Sequence, residues 1–250
     1  MPGNIEKEII RIGLPIRHET NLYPMVKPQK TCIETIKTVK GDGVEIWNMH
    51  LTSLDCTYIE TRRHISTHGP LPMEIFSDRP EGDLYKGIVV HLDIEPGGEI
   101  SPADLGKYLD TVKPGDALVV DAGEYTDKWL EDTDGIIDTD DYNLNSPYFS
   151  PQAMQDIIDA EVAVLAGNFP SFSNPRTHEG FGIDMIAEFY KTEHNMILAP
   201  LVNLGEIQET EIVLQINPLD IEGCCGIPCN PSVYQGKLKS AFLDFIVRLS

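Results

Sequence analysis

The chain has 250 residues, 41% of them hydrophobic and 24% charged, the balance of a globular protein long enough for one sizeable core. Its 40 acids outnumber 19 bases, a formal net charge of -21 at pH 7, which argues against nucleic acid or an anionic membrane as partner because both would repel it. No apolar run approaches the roughly 20 residues that cross a bilayer, and the opening MPGNIEKEIIRIGLP carries acids where a signal peptide has its apolar centre; the expectation is a cytoplasmic protein folded as one domain over residues 1–250.

In chain order, Gly43-Val-Glu-Ile-Trp-Asn-Met-His-Leu51 and its neighbours are β-rich, so the first third is hairpin-like. Trp47 in this run reads as a core residue, with a substrate platform as the alternative. Lys86-Gly-Ile-Val-Val-His-Leu-Asp-Ile94 is a β-branched apolar run that predicts a buried strand, ended by Glu95-Pro-Gly-Gly98. Ser101 before Pro102 predicts a capped helix running to about Val112. Pro114-Gly-Asp116 turns the chain into a strand at Ala117–Asp121. The acidic stretch from Gly123 to Asn143 reads as a mobile loop; Asp132-x-Asp134-Gly135 begins like a calcium loop, but the third ligand and the closing glutamate are misplaced for an EF-hand. Ser150-Pro151 starts a helix to about Asp159, Val162–Ala166 is a strand, and Gly182 to Thr192 a helix. Met196–Leu201 and Glu211–Ile216 are strands, and Lys237–Leu249 is a closing amphipathic helix. Strands alternating with helices predict an α/β fold with helices covering a sheet.

Five cysteines, Cys32, Cys56, Cys224, Cys225 and Cys229, without a secretion signal, point to reduced thiols. Gly223-Cys-Cys-Gly-Ile-Pro-Cys229 is not a pair of C-x-x-C hooks and no histidine follows at finger spacing, so a structural zinc is not expected. Cys224 or Cys225 could act as a nucleophile given a depressed pKa; a buried inert thiol is the commoner outcome.

Three pieces stand in a specific order: Pro114-Gly-Asp-Ala-Leu-Val-Val-Asp-Ala-Gly123, then Pro147-Tyr-Phe-Ser-Pro-Gln-Ala-Met154 leading into Val162–Gly167, then Gly223-Cys-Cys-Gly-Ile-Pro-Cys-Asn230. They resemble the P-G-D-x-x-[LV]-[LV]-x-T-G, P-x-[LF]-S-x-E-A and G-x-x-G-x-P-x-R pieces of the cyclase family, to which bacterial kynurenine formamidase and isatin hydrolase belong. Ala122 stands at the threonine and Asn230 at the arginine. The resemblance runs from about Trp47 to about Asn230. It implies the swivelling β/β/α cyclase-like fold, a homodimer or homotetramer, and a small-molecule substrate.

The family's signature, H-x-G-T-H-x-D-x-P-x-H, supplies metal ligands from its first two histidines and its aspartate, and an acid/base from its last histidine. Imidazole and carboxylate hold a divalent metal that turns water into a nucleophile, and a nearby histidine moves the proton. Two registers lay this chain on it. One starts at His64 and matches Thr67, His68 and Pro72, but puts Ser66 at the glycine, Pro70 at the aspartate and Glu74 at the last histidine. The other ends at His64, matches Thr57, places Glu60 at the aspartate, and puts Leu54 and Tyr58 at the ligand histidines. The second is preferred because it leaves room for the segment that the family inserts before Gly87, and because Thr57-Tyr-Ile-Glu-Thr61 resembles a T-Y-[IL]-E-T variant within the family. The family's downstream histidine and glutamate ligands fall near Ala187 and Ala199; His178, Glu188, Glu193 and His194 lie close.

The residues then offer several readings. On a strand, Glu60 and His64 would share a face, and a carboxylate beside an imidazole raises its basicity and fixes its tautomer. That is a metal-free acid/base pair; the alternative is a surface pair with Arg62 and Arg63 satisfying Glu60. Tyr58 could donate to a substrate carbonyl, Arg62 or Arg63 could grip a carboxylate, and Cys225 could contact substrate. His68 reads as a loop residue, and His91 with Asp93 as residues that line the cavity or form a satisfied polar strand face. The expectation is therefore a hydrolase of a small amide, lactam, lactone or cyclisable carbonyl compound, with His64 and Glu60 catalytic and little or no bound metal. One rival is a catalytically degenerate binder of a ligand or partner. The other is a mononuclear zinc or manganese site rebuilt from Glu60, His64 and His68 or His91.

Overall fold

The computed structural model describes residues 7–27, 29–177 and 183–249. Its elements are β1 (Ile9–Arg11), β2 (Cys32–Lys37), α1 (Val39–Asp42), β3 (Ile46–His50), β4 (Tyr58–Thr61), α2 (Pro72–Ser77), β5 (Leu84–Leu92), β6 (Glu99–Ile100), α3 (Pro102–Leu109), β7 (Ala117–Ala122), α4 (Tyr125–Asp132), α5 (Asp141–Leu144), β8 (Tyr148–Phe149), α6 (Pro151–Asp159), β9 (Val164–Gly167), α7 (Ile183–Phe189), β10 (Met196–Ala199), β11 (Glu211–Gln215), β12 (Gly226–Pro228), β13 (Ser232–Tyr234) and α8 (Gly236–Leu249), with 3-10 turns at Arg62–His64 and Leu204–Glu206. Nine strands form one mixed sheet in the order β1-β13-β11-β5-β7-β9-β10-β4-β12.

The four central strands, β5, β7, β9 and β10, are parallel, so each needs a crossover, and the helices of those crossovers lie on the sheet. α3 packs on α6, and α6 on α7. Both sheet faces are buried, which is why these strands read as continuous apolar runs rather than alternating ones. Ile88, Val90, Leu118, Val120, Leu165 and Ile197 belong to the core under the helices. Val89, Val119, Val164, Met196 and Leu198 face the opposite core, with Ile10, Ile12 and Phe76. α8 packs its Ile246 against Leu84 and Val213 at the far side of the sheet. This is the α/β architecture that the pattern predicts, and the helix starts fall where the caps place them. Asp104 Oδ2 accepts from the Ser101 N–H at 2.8 Å, and Ser150 Oγ accepts from the Ala153 N–H at 3.1 Å. Among the described residues no helix is long and apolar enough to cross a membrane.

Two expectations need correction. The acidic stretch after Gly123 is not a mobile loop: α4 and α5 occupy it, and Tyr125, Ile137 and Tyr142 are buried. Most of the acids face outward, Asp127 turning in to accept the Asn203 N–H at 2.9 Å, while the aromatics anchor the segment, Tyr125 stacking on Tyr142 with ring centroids 5.6 Å apart and Trp129 meeting Tyr142 edge-on at 5.8 Å. Trp47 is not in the core: β2 and β3 pair as a separate two-stranded ribbon, and Trp47 is 50% exposed on it. A two-stranded ribbon with no layer over it has no inside for the indole to enter.

Candidate active site

β4 lies between β10 and β12, with Glu60 opposite Ile197 on one side and Gly226 on the other. All four of its side chains are buried. The alternation of a strand turns Tyr58 and Glu60 toward the helix-covered face and Ile59 toward the opposite core. The strand stops at Thr61, whose hydroxyl accepts from the Arg63 N–H and donates to the Pro70 carbonyl. The 3-10 turn that follows brings His64 back over the strand, with His64 Nε2 3.6 Å from Glu60 Oε2. The pair meets because of this turn and not, as a continuous strand would have it, because residues four apart share a face.

Glu60 is buried, and no arginine satisfies it. Its Oε1 accepts a hydrogen bond from the Tyr190 hydroxyl at 2.8 Å. Burial raises the pKa of this carboxyl, while the His64 charge and the Tyr190 bond work against that rise. Leu54, Tyr58, Glu60 and His64 line one cavity of about 190 Å³, together with Tyr23, Val26, Ile65, Pro170, Ser171 and Ile186. Its wall is mostly apolar. The exceptions are the Glu60–His64 pair, Ser171 and two tyrosines whose hydroxyls lie 2.9 Å apart, Tyr23 and Tyr58. Burial raises the pKa of both, so they remain neutral hydroxyls. Tyr23 is held in place by a buried ion pair: Lys27 Nζ bonds Asp55, and Asp55 also accepts the Thr52 N–H at 2.8 Å. This ties the Tyr23–Lys27 segment to the loop that carries Leu54.

The other candidates separate into those near the cavity and those away from it. Cys225, half-buried at the entry to β12, places its Sγ 3.7 Å from His64 Nδ1. Arg62 lies on the surface with Nη1 3.9 Å from Glu193 Oε1, and Arg63 is exposed; neither reaches the cavity wall. Trp47 is on the outer ribbon. His91 bonds Asp121 at 2.9 Å, at the end of β5, and Asp93 lies beyond that strand. A larger cleft of about 510 Å³, lined by Arg11, Asn203 and Asn230 among others, opens near the buried Cys56 and Cys229 but holds no acid/base pair.

The register ending at His64 is the one whose four diagnostic positions converge on a single cavity. In the other, the Pro70 carbonyl accepts from Thr61 and Glu74 caps α2 through the Leu71 N–H. The metal implied by the family motif does not fit the residues present. Leu54 offers no donor atom, the Tyr58 hydroxyl is engaged by Tyr23, and one Glu60 oxygen is taken by Tyr190. Among the described residues no three His, Cys, Asp or Glu side chains are arranged to hold a metal ion. A rebuilt site with His91 fails on distance, because β5 and β4 are four strand spacings apart, roughly 19 Å. His68 is exposed in its loop. Of the downstream candidates, Glu188 pairs with Lys191 on the surface, Glu193 is exposed beside Arg62, and His194 lines a different cleft with Asp78 and Lys86. His178 lies outside the described residues.

Sequence reasoning missed Tyr190 and Tyr23. Tyr190 follows directly on α7, inside the predicted helix, but only the pairing of β10 with β4 reveals that its hydroxyl meets Glu60. Tyr23 sits in an irregular segment without periodicity, and its one signal, a nearby lysine matched to a distant aspartate, is visible only in three dimensions.

The Cyclase family model matches residues 10–173. Isatin hydrolase A from Ralstonia solanacearum is similar in structure, with a TM-score of 0.69 at 13% identity over 90% of each chain. Isatin hydrolase A from Labrenzia aggregata, bound to benzyl benzoate, gives a TM-score of 0.64 at 13% identity, covering 91% of this chain and 94% of its own. A protein described as a potential metal-dependent hydrolase with cyclase activity gives 0.63 at 14% identity, covering 92% and 98%. No curated protein matches by sequence. At these identities the structural likenesses speak for the fold, and the family match covers more than half of the residues: the chain belongs to the Cyclase family.

Proposed function

We propose that this chain hydrolyses a small, uncharged amide, lactam or lactone, or cyclises a related carbonyl compound, with His64 as acid/base, Glu60 as its positioning carboxylate and no catalytic metal. One observation carries the reading: a buried carboxylate, held by Tyr190, faces His64 at 3.6 Å on the wall of an apolar cavity. A histidine so placed can take a proton from the attacking group and return it to the leaving amine or alcohol. The Glu60 charge, 3.6 Å from Nε2, favours the tautomer that carries its proton on Nε2 and leaves Nδ1 as the base. With Tyr23 donating to Tyr58, the Tyr58 hydrogen is left for the substrate carbonyl oxygen. The apolar lining and small volume select an uncharged substrate. Arylformamidase-like and isatin hydrolase-like chemistry both fall within this class.

The expected surroundings are a reducing cytoplasm, which suits five free thiols, and a homodimer or homotetramer. The ribbon of β2 and β3 supports the latter, since Ile36, Ile46, Trp47 and Met49 are all exposed on it. Light scattering of the eluting protein reads the assembly directly.

The deciding experiment is His64→Ala against a panel of N-formyl arylamines, lactams and lactones. Turnover should fall about 10²-fold or more. Unchanged turnover on every accepted substrate would sink the reading. Binding of such compounds without any turnover by the unmodified protein would assign the cavity to a ligand-binding role instead.

A further inference from the structure

We propose that Cys225 is the nucleophile of this site, attacking the substrate carbonyl to form a transient thioester, with His64 receiving its proton and Glu60 orienting His64. The inference rests on the reading of His64 as acid/base and names what that base activates.

The observation is a chain of three side chains drawn from β4, the turn that follows it and the bend before β12. Cys225 Sγ lies 3.7 Å from His64 Nδ1, His64 Nε2 lies 3.6 Å from Glu60 Oε2, and Glu60 Oε1 is held at 2.8 Å by Tyr190. The two ring nitrogens thus have separate partners, one a thiol and the other a buried carboxylate. The order thiol, imidazole, carboxylate is the one in which an imidazole steadied by a carboxylate's charge takes a proton from a thiol. The remaining cysteines are placed otherwise. Cys224 packs against the core on the opposite face of the sheet. Cys229 is buried with its sulfur toward the Thr57 carbonyl. Of the three thiols in the Gly223–Cys229 turn, Cys225 is the one turned to His64.

Burial and the Glu60 charge raise the Cys225 pKa, while the backbone N–H groups of Cys225 and Gly226 act in the other direction. The thiol therefore rests protonated and needs a base at the moment of attack. As sulfur bonds to the carbonyl carbon, its proton passes to His64 Nδ1 and the carbonyl oxygen becomes an oxyanion. The intermediate collapses, the C–N or C–O bond breaks, and His64 gives the proton to the leaving nitrogen or oxygen. Water then attacks the thioester, losing a proton to His64; the C–S bond breaks, and Cys225 is reprotonated as the acid is released. A thiol nucleophile also explains how a member of this family functions with leucine and tyrosine at the ligand positions: the nucleophile is carried by the chain instead of being generated on a metal.

The test uses two probes on the full chain. p-Nitrophenyl acetate is turned over by the wild type, Cys225→Ser, Cys225→Ala and His64→Ala, with acid quenching and peptide mass analysis. Iodoacetamide alkylation of Cys225 is timed in the wild type and in His64→Ala. The expected result is one acetyl group on the Cys225 peptide of quenched wild type and loss of turnover in both Cys225 variants and in His64→Ala. Alkylation of Cys225 should be at least about tenfold slower without His64. Turnover that survives in Cys225→Ala but not in His64→Ala would overturn the nucleophile and leave His64 as base for water. Turnover that survives in all variants would overturn both readings. Equal alkylation rates with and without His64 would overturn the thiol–imidazole coupling even if a Cys225 variant failed to fold.

Discussion

The Tyr190 hydroxyl and the Glu60 carboxylate, 130 residues apart in the chain, meet at 2.8 Å beneath the cavity floor. The bond uses one carboxylate oxygen and leaves the other, Oε2, turned to His64 at 3.6 Å. A buried carboxyl with no arginine beside it would take up a proton; the tyrosine bond and the imidazole are the two groups that favour its charged form. The acid/base pair therefore depends on a residue that contacts neither the cavity nor the histidine.

Tyr190→Phe keeps the ring and removes the bond. The protein should lose about 0.5–1.5 kcal/mol of stability, the usual net worth of one such hydrogen bond. The Glu60 carboxyl should move further up, so the acidic limb of the pH–rate profile should shift to higher pH. Urea denaturation and the pH profile measure the two effects; a limb that stays in place would mean that Glu60 does not govern the active protonation state.

Glu60→Gln separates stability from activity. The folded pKa of Glu60 is raised above its ordinary 4.5, so the folded state binds this proton more tightly than the unfolded state does. The stability that follows is fully present below about pH 4.5 and is lost as the pH rises through the raised value. Above the raised value the ionised, buried carboxylate weighs against folding, whereas glutamine still accepts from Tyr190 and carries no charge. The variant should match or exceed the wild type in melting temperature at pH 7, with the advantage shrinking toward pH 4.5. Turnover should fall about 10²-fold, because the imidazole loses its orienting charge. A variant that melts lower at pH 7 than at pH 4.5, relative to wild type, would contradict the sign.

Prolonged treatment with a strong chelator should leave turnover within about twofold of the untreated protein, since a tight site needs about three or four protein donors and the motif positions supply a leucine and an engaged tyrosine. Loss of activity on chelation, restored by zinc or manganese, would overturn the metal-free reading.

The central sheet was legible because parallel strands buried on both faces leave continuous apolar runs, as at Lys86–Ile94 and Ala117–Asp121, and because Ser-Pro pairs mark helix starts chemically. The acidic stretch around α4 was misread because charge is an average property of a segment, while its fold is decided by a few aromatics that bury together, Tyr125, Trp129 and Tyr142. At the site, Glu60, His64 and Tyr58 could be named because their spacing within one short span survives. What joins them is long-range: Tyr190 reaches β4 through the sheet order, Cys225 through the pairing of β12 with β4, and Tyr23 through a salt bridge. Trp47 was misplaced for the opposite reason, since a large apolar residue implies burial only where a second layer exists to cover it.

The Lys27–Asp55 pair gives the last prediction. Both side chains are buried, 9% and 3% exposed, and Asp55 is further satisfied by the Thr52 N–H. Neither residue lines the cavity; their bond joins the segment of Tyr23 to the loop of Leu54, both of which do. Asp55→Ala strands a buried ammonium and should lower stability by about 3–5 kcal/mol. Replacing both partners with apolar residues, Lys27→Met with Asp55→Leu, removes the stranded charge and should recover most of that loss. The double variant should nonetheless show a raised KM with kcat less affected. With the tether gone the Tyr23–Tyr58 wall is no longer held against the substrate, while the Glu60–His64–Cys225 chain, anchored by β4, β12 and Tyr190, keeps its geometry. Denaturation curves and steady-state kinetics of the single and double variants check both halves. A double variant that regains stability and retains an unaltered KM would show that the ion pair serves folding alone.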